Sequence, residues 1–170
     1  MTLSVFSGVL RGTEANLSPE LNTTGQRYFG FSPYKMDPKF RVSIQPGWRP
    51  APGEVLRLLF SKTHGMPVIK VLTQESFDER VAVVEASDLT PAKKRATLDS
   101  LYMLCREASL NDQGKLLVPK DLSEKAGIEA EAEVILAGRG KHFEIWSKAN
   151  HDRVLEIEMN QDDEDELGVL

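Results

Sequence analysis

The sequence predicts an α+β protein made of two tandem units, each a few short strands with a short helix, joined by a helical pair. Three observations predict it. Residues 110–146 read as strand, helix, strand, strand, and no strand there exceeds about six residues. The same pattern recurs 74 positions earlier, residues 36–44 aligning with 110–118 without a gap. Between the two lie segments with helix-start signals and apolar stripes at helical spacing.

In the second unit, a polar turn at Asn111-Asp112-Gln113-Gly114 leads into Lys115-Leu116-Leu117-Val118, and Pro119 ends that strand. A helix over 120–126 closes at Gly127, where a left-handed cap fits. Strands over 133–137 and 142–146 flank a turn at Gly138-Arg139-Gly140. In the last of them Phe143 and Ile145 share one face, Glu144 and Trp146 the other. None of these pieces can bury its apolar face alone, so the unit needs its second copy.

That copy begins near Tyr28. Asp37 falls on Asn111, Arg41 on Lys115, Val42 on Leu116 and Ile44 on Val118. Ile69, Val71 and Leu72 fall on Phe143, Ile145 and Trp146, and Asp78 on Asp152. The middles match poorly. Phe40, Val42 and Ile44 alternate with Lys39, Arg41 and Ser43, as in a strand with one buried face. Pro50 and Pro52 limit any helix after it to about one turn. Strands over 55–60 and 67–72 meet at a turn around His64-Gly65. Thr73 caps a helix with Phe77, Val81 and Val84 along one side. Thr90 and Pro91 start another, with Leu98, Leu101, Tyr102 and Cys105 on its buried face. Ser147 caps a last helix carrying Val154 and Leu155. Residues 1–27, rich in Ser, Thr, Gly and Asn, read as a disordered extension. A transient helix or partner-binding strip near Leu3–Leu10 is the alternative, that cluster being too interrupted for a signal peptide.

Composition narrows the function. Hydrophobic residues at 41% and charged residues at 28% are ordinary for a globular protein. No apolar run approaches the roughly 20 residues of a membrane span. One cysteine excludes an intramolecular disulfide and fits a reducing compartment. The net charge of −5 divides unevenly. All 21 basic residues lie within 1–155, against 19 acidic ones, so that part carries +2 and the acidic run 162–166 dominates the tail. A local basic face is therefore permitted.

Arg41, opposite in direction to Val42 and Ile44, can reach solvent, where its guanidinium fork suits phosphate or a guanine edge. Asp37, four residues before, can accept from it and fix its direction. Lys115 keeps the charge without the fork and suits phosphate. Lys39 lies on the same face as Arg41. The same spacing also suits a pair that only stabilises a turn. His64, His142 and His151 lack metal-ligand spacing and read as surface or turn histidines. Gly138-Arg139-Gly140 is no phosphate loop, and no nucleophile elbow occurs. No enzyme, cofactor, metal or small-molecule substrate is expected. Trp48 and Trp146 read as core or interface anchors.

Residues 28–49, and more strongly 110–119, 126–127 and 143–147, resemble the MraZ family over roughly residues 28–155. The resemblance implies a bacterial transcriptional regulator with two SpoVT–AbrB-type swapped-hairpin domains. It implies subunits closed into a ring-shaped homo-oligomer, and binding to repeated DNA boxes in the promoter of the division and cell-wall gene cluster. The family's Asp-x-x-x-Arg signature is intact at Asp37 and Arg41 and altered to Asn111 and Lys115. Phe40 stands where the family has a turn glycine, which Gly114 retains. The DNA-binding residues implied are Asp37, Lys39, Arg41, Asn111 and Lys115.

The expected organisation is an extension over 1–27, a first domain over 28–74, connecting helices over 75–106, a second domain over 107–150, and a short helix with an acidic disordered tail over 151–170. A cytoplasmic, nucleoid-associated location follows from the resemblance. The alternative is a ring-forming interaction or scaffold protein with weakened DNA binding, as Asn111 and Lys115 would allow. An antitoxin-like module is a third reading, disfavoured by duplication within one chain.

Overall fold

The computed structural model describes residues 25–160 and 165–170. The expected extension thus lies outside the described residues except for 25–27, as does the acidic stretch 161–164. Element order is β1 (Phe31–Lys35), β2 (Arg41–Ser43), a 3-10 turn (Pro46–Trp48), β3 (Leu56–Thr63), β4 (Met66–Leu72), α1 (Gln74–Glu85), α2 (Pro91–Leu104), β5 (Cys105–Ala108), β6 (Lys115–Leu117), α3 (Lys120–Lys125), β7 (Glu133–Gly138), β8 (His142–Ser147) and α4 (Lys148–Met159). The fold is α+β with antiparallel sheets, as expected.

The two copies do not fold side by side. Each lends its strands to the other. The six-stranded sheet runs β1-β7-β8-β4-β3-β5, and β2 pairs with β6 in a separate ribbon. Val42 sits opposite Leu116 in the ribbon, and Lys70 opposite Glu144 in the central pair of the sheet. Both pairs are 74 apart, so the repeat offset is the spacing across a local two-fold axis. Off the axis the offset changes. Phe31 and Cys105, also 74 apart, pair with Ala137 and Leu59, which are 78 apart. The second copy holds four more residues in its middle, which is why the middles align poorly. There Pro46–Trp48 of the first copy gives way to α3. Prolines at 50 and 52 stop the first from lengthening.

Two caps mark corresponding helices. The Thr73 side chain accepts from the Ser76 N–H at the start of α1, and Ser76 answers the Thr73 N–H. Ser147 accepts from the Asn150 N–H at the start of α4. Thr90, with Pro91 behind it, starts α2.

The core lies between the sheet and the ribbon. Val42, Ile44, Leu116 and Val118 are fully buried against Leu58, Ile69, Leu136, Phe143 and Ile145. Tyr28, Trp48 and Phe143 form an aromatic trio with centroids 5.0–5.4 Å apart. On the other face α4 covers Trp146, Ile135 and Ala137, and α1 covers Leu59 and Leu72 through Phe77.

Three expectations are corrected. α2 buries no residue, and Tyr102 is 59% exposed. Cys105 is half-buried and opens β5 rather than lying in a helix. His151 is buried rather than exposed. Its ring packs 4.9 Å from Phe31 and faces Trp146, because it lies on the side of α4 turned to the sheet.

Candidate nucleic-acid interface

The ribbon carries the expected site residues on two turns of the same design. In the first, Asp37 Oδ1 accepts from the N–H groups of Lys39 and Arg41, each at 2.8 Å. In the second, Asn111 Oδ1 accepts from Gln113 and Lys115 at 2.9 and 3.0 Å. The backbone closes both alike: Asp37 N–H to Arg41 O, and Asn111 N–H to Lys115 O, at 2.9 Å. Asparagine at 111 thus keeps the turn that aspartate makes at 37, because the turn needs only a side-chain oxygen.

The two turns differ in charge. Asp37 Oδ2 accepts from Arg41 Nε at 2.8 Å, a contact Asn111 does not reproduce with Lys115. Lys115 instead leans across the ribbon, its Nζ 3.9 Å from the same Asp37 oxygen. One carboxylate therefore serves two cations. Burial works to raise the Asp37 carboxyl, but the Arg41 amide and guanidinium and the Lys39 amide outweigh it and hold the group below its ordinary value. Arg41 uses Nε on Asp37, and neither of its terminal nitrogens has a hydrogen-bond partner among the described residues. A guanidinium held by its inner nitrogen with its outer pair free is set to bind two acceptors side by side.

Strand alternation decides what faces outward. Val42 and Leu116 point into the core, so Arg41, Ser43, Lys115 and Leu117 share the opposite face. Arg41 and Lys115 are about one-third exposed there. Lys39 and Asn111 are exposed on the flanking turns. All five expected residues thus lie on this ribbon and the two turns that precede its strands.

The sequence offered Arg49 as one more cation near the first motif, but not the contact it makes, and the exposure of Leu117 was not foreseen. Arg49 donates to the Ile44 carbonyl at 2.7 Å, and its guanidinium lies directly on Gly114. A Cβ at 114 would collide with it. The retained glycine was the signal, but nothing in sequence connected it to Arg49. Leu117 is 55% exposed in the middle of the outward face, although its neighbours Leu116 and Val118 are fully buried.

A second polar cluster lies on the far side of the sheet. The buried Glu144 accepts from Trp146 Nε1 at 2.9 Å and Arg139 Nε at 3.1 Å, and His142 Nε2 is at 3.2 Å. Burial alone would raise its carboxyl, yet these three partners bring it down to about 2. Arg139 also grips both oxygens of Glu158 on α4. This cluster fastens the β7–β8 turn to α4. Among the described residues no group of three or more His, Cys, Asp or Glu is placed to hold a metal ion, and no helix is long and apolar enough to cross a membrane.

Comparison with known proteins places the chain in a family. "Transcriptional regulator MraZ" of Dehalococcoides mccartyi is 30% identical over 121 residues, spanning 71% of this chain and 82% of that protein. The chain belongs to the MraZ family. Residues 102–170 match the family profile described as "MraZ protein, putative antitoxin-like". Proteins of the same name from Anaeromyxobacter dehalogenans and Ruegeria pomeroyi are 30% and 27% identical, covering 79% and 75% of this chain and 94% and 81% of their own lengths. MraZ relatives are named as regulators of transcription, not as enzymes.

Proposed function

We propose that this chain is a sequence-specific DNA-binding transcriptional regulator, with Asp37, Lys39, Arg41, Asn111 and Lys115 forming its DNA-contacting face. The observation that carries the reading is the Asp37–Arg41 pair: an inner nitrogen anchored at 2.8 Å, and two outer nitrogens without partners among the described residues, on an outward strand face. Such a fork matches guanine O6 and N7 in the major groove, and a two-stranded ribbon fits that groove. Lys39 and Lys115 add phosphate contacts, which set register rather than sequence.

One chain offers few such contacts. A homo-oligomer, in the ring form proposed for it, would repeat the face and gain by effective concentration on repeated promoter boxes. The exposed apolar residues Val83, Tyr102, Met103 and Leu104 on α1 and α2 support self-association. The target proposed is the promoter of the division and cell-wall gene cluster, and the location the bacterial cytoplasm at the nucleoid.

A second reading is a ring-forming scaffold with weakened DNA binding. Lys115 favours it, because part of its charge is already spent on Asp37. A gel shift on the protein's own promoter separates the two. Under the regulator reading, wild type shifts the fragment at low salt and Arg41→Ala loses at least tenfold in affinity. No shift for wild type would favour the scaffold, and equal shifts for both would keep DNA binding but remove Arg41 as its contact.

A further inference from the structure

We infer that Leu117 is a specificity-determining residue that packs on a thymine methyl group beside the guanine read by Arg41. The inference rests on the DNA-binding reading above and adds a residue that the charge pattern alone does not supply.

Leu117 stands directly across the ribbon from Arg41, and Lys115 across from Ser43. Cross-strand partners lie about 4.5–5.5 Å apart at Cα, and base pairs stack about 3.4 Å apart. A ribbon that brings Arg41 to one base pair therefore brings Leu117 within one or two pairs of it. A single exposed leucine on a surface needs no explanation. This one is 55% exposed on a three-residue strand, with Arg41 and Lys115 on the same face. The local two-fold gives it Ser43 as counterpart, so the face is half apolar and half hydroxyl.

The surrounding charge selects the occupant. Lys39, Arg41 and Lys115 outnumber Asp37 and the exposed Asp112, so the same face of a second copy would bring cations against cations. A polyanion with a small apolar feature fits instead. In the DNA major groove the apolar feature is the thymine 5-methyl. Covering it removes apolar area from water on both partners, an effect on the order of one buried methyl group.

The test uses the full chain and a duplex selected by it from a random pool of about 20 base pairs. Each thymine is replaced in turn by deoxyuridine, which removes only the methyl. Wild type is expected to lose about three- to tenfold in affinity at a thymine within two pairs of a guanine. Arg41→Ala should lose discrimination at that guanine. Leu117→Ala, whose thermal melt should match wild type, is expected to lose a similar factor on the thymine duplex and nothing more on the uracil duplex. Equal wild-type affinity for both duplexes overturns the role of Leu117 and leaves DNA binding standing. So does a Leu117→Ala protein that still prefers thymine. If no duplex is enriched and wild type binds none at low salt, the DNA reading falls and this inference with it.

Discussion

Phe40 and Gly114 occupy the same place in their two turns, with φ of 59° and 77°. Glycine adopts that left-handed backbone freely, whereas phenylalanine is strained there. Phe40 offsets the strain by packing its half-buried ring on the main core. Gly114 makes room for Arg49 instead. Gly114→Ala is therefore expected to cost about 2–3 kcal/mol, from the strained φ and from displacing Arg49 off the Ile44 carbonyl. In an Arg49→Ala background the same change should cost only about 1 kcal/mol, because the collision is gone. Urea melts of the four proteins of that cycle measure the coupling. Arg41→Lys tests the fork itself. Keeping charge but losing two-point geometry, it should retain salt-dependent binding while base discrimination at one position falls. Competition with mutated boxes at fixed salt reads the difference.

A three-residue strand does not hold itself, and β2 and β6 are three residues each. Their ribbon stays in place because Val42, Ile44, Leu116 and Val118 are sealed beneath it. Leu116→Ala is expected to destabilise the fold by about 2–5 kcal/mol and to weaken DNA binding with it, since the outward face rides on the inward one. Chemical denaturation and a gel shift on the same sample would check both. The helix starts were legible because caps are local: Thr73, Thr90 and Ser147 each act within three residues. β1 and β5 were not legible. Both are edges of the sheet, each paired only on one side with a strand of the other copy. β1 contains Pro33, tolerable at an edge, and β5 continues directly from α2. The outward turn of α2 also escaped the apolar spacing, which marks a face for burial without naming its partner.

At the scale of the molecule, acid should loosen the fold by two routes. Glu144 is held at about 2 against an ordinary 4.5, so its contribution, about 3 kcal/mol, is present above about pH 4.5 and is lost as pH falls toward 2. Burial, with Arg139 nearby, lowers the His151 ring below 6.5, while Asp152, Glu144 and Glu158 oppose the shift. The unfolded chain then takes the proton more readily, so stability is complete above about pH 6.5 and declines below it. His151→Phe, which keeps a ring against Phe31, should flatten the melting temperature as pH falls below about 6.5 without removing the steeper fall below about pH 4.5. Thermal melts across pH measure this. Self-association is tested separately. Met103, 74% exposed on α2, is expected as an oligomer contact. Met103→Glu should reduce the mass measured by light scattering while leaving the circular dichroism unchanged.

Local pattern was enough for the α+β class, the offset of 74, most strand and helix positions, the paired turns and the family resemblance. These are matters of local period, caps and repetition, which neighbouring residues decide among themselves. It took the folded chain to show that each copy completes the other's sheet, that Lys115 shares Asp37 with Arg41, that Arg49 supports the opposite turn, and that Leu117 faces outward between cations. Each of these joins residues far apart in the chain through strand pairing across an internal two-fold axis, and no local pattern encodes which strands will meet.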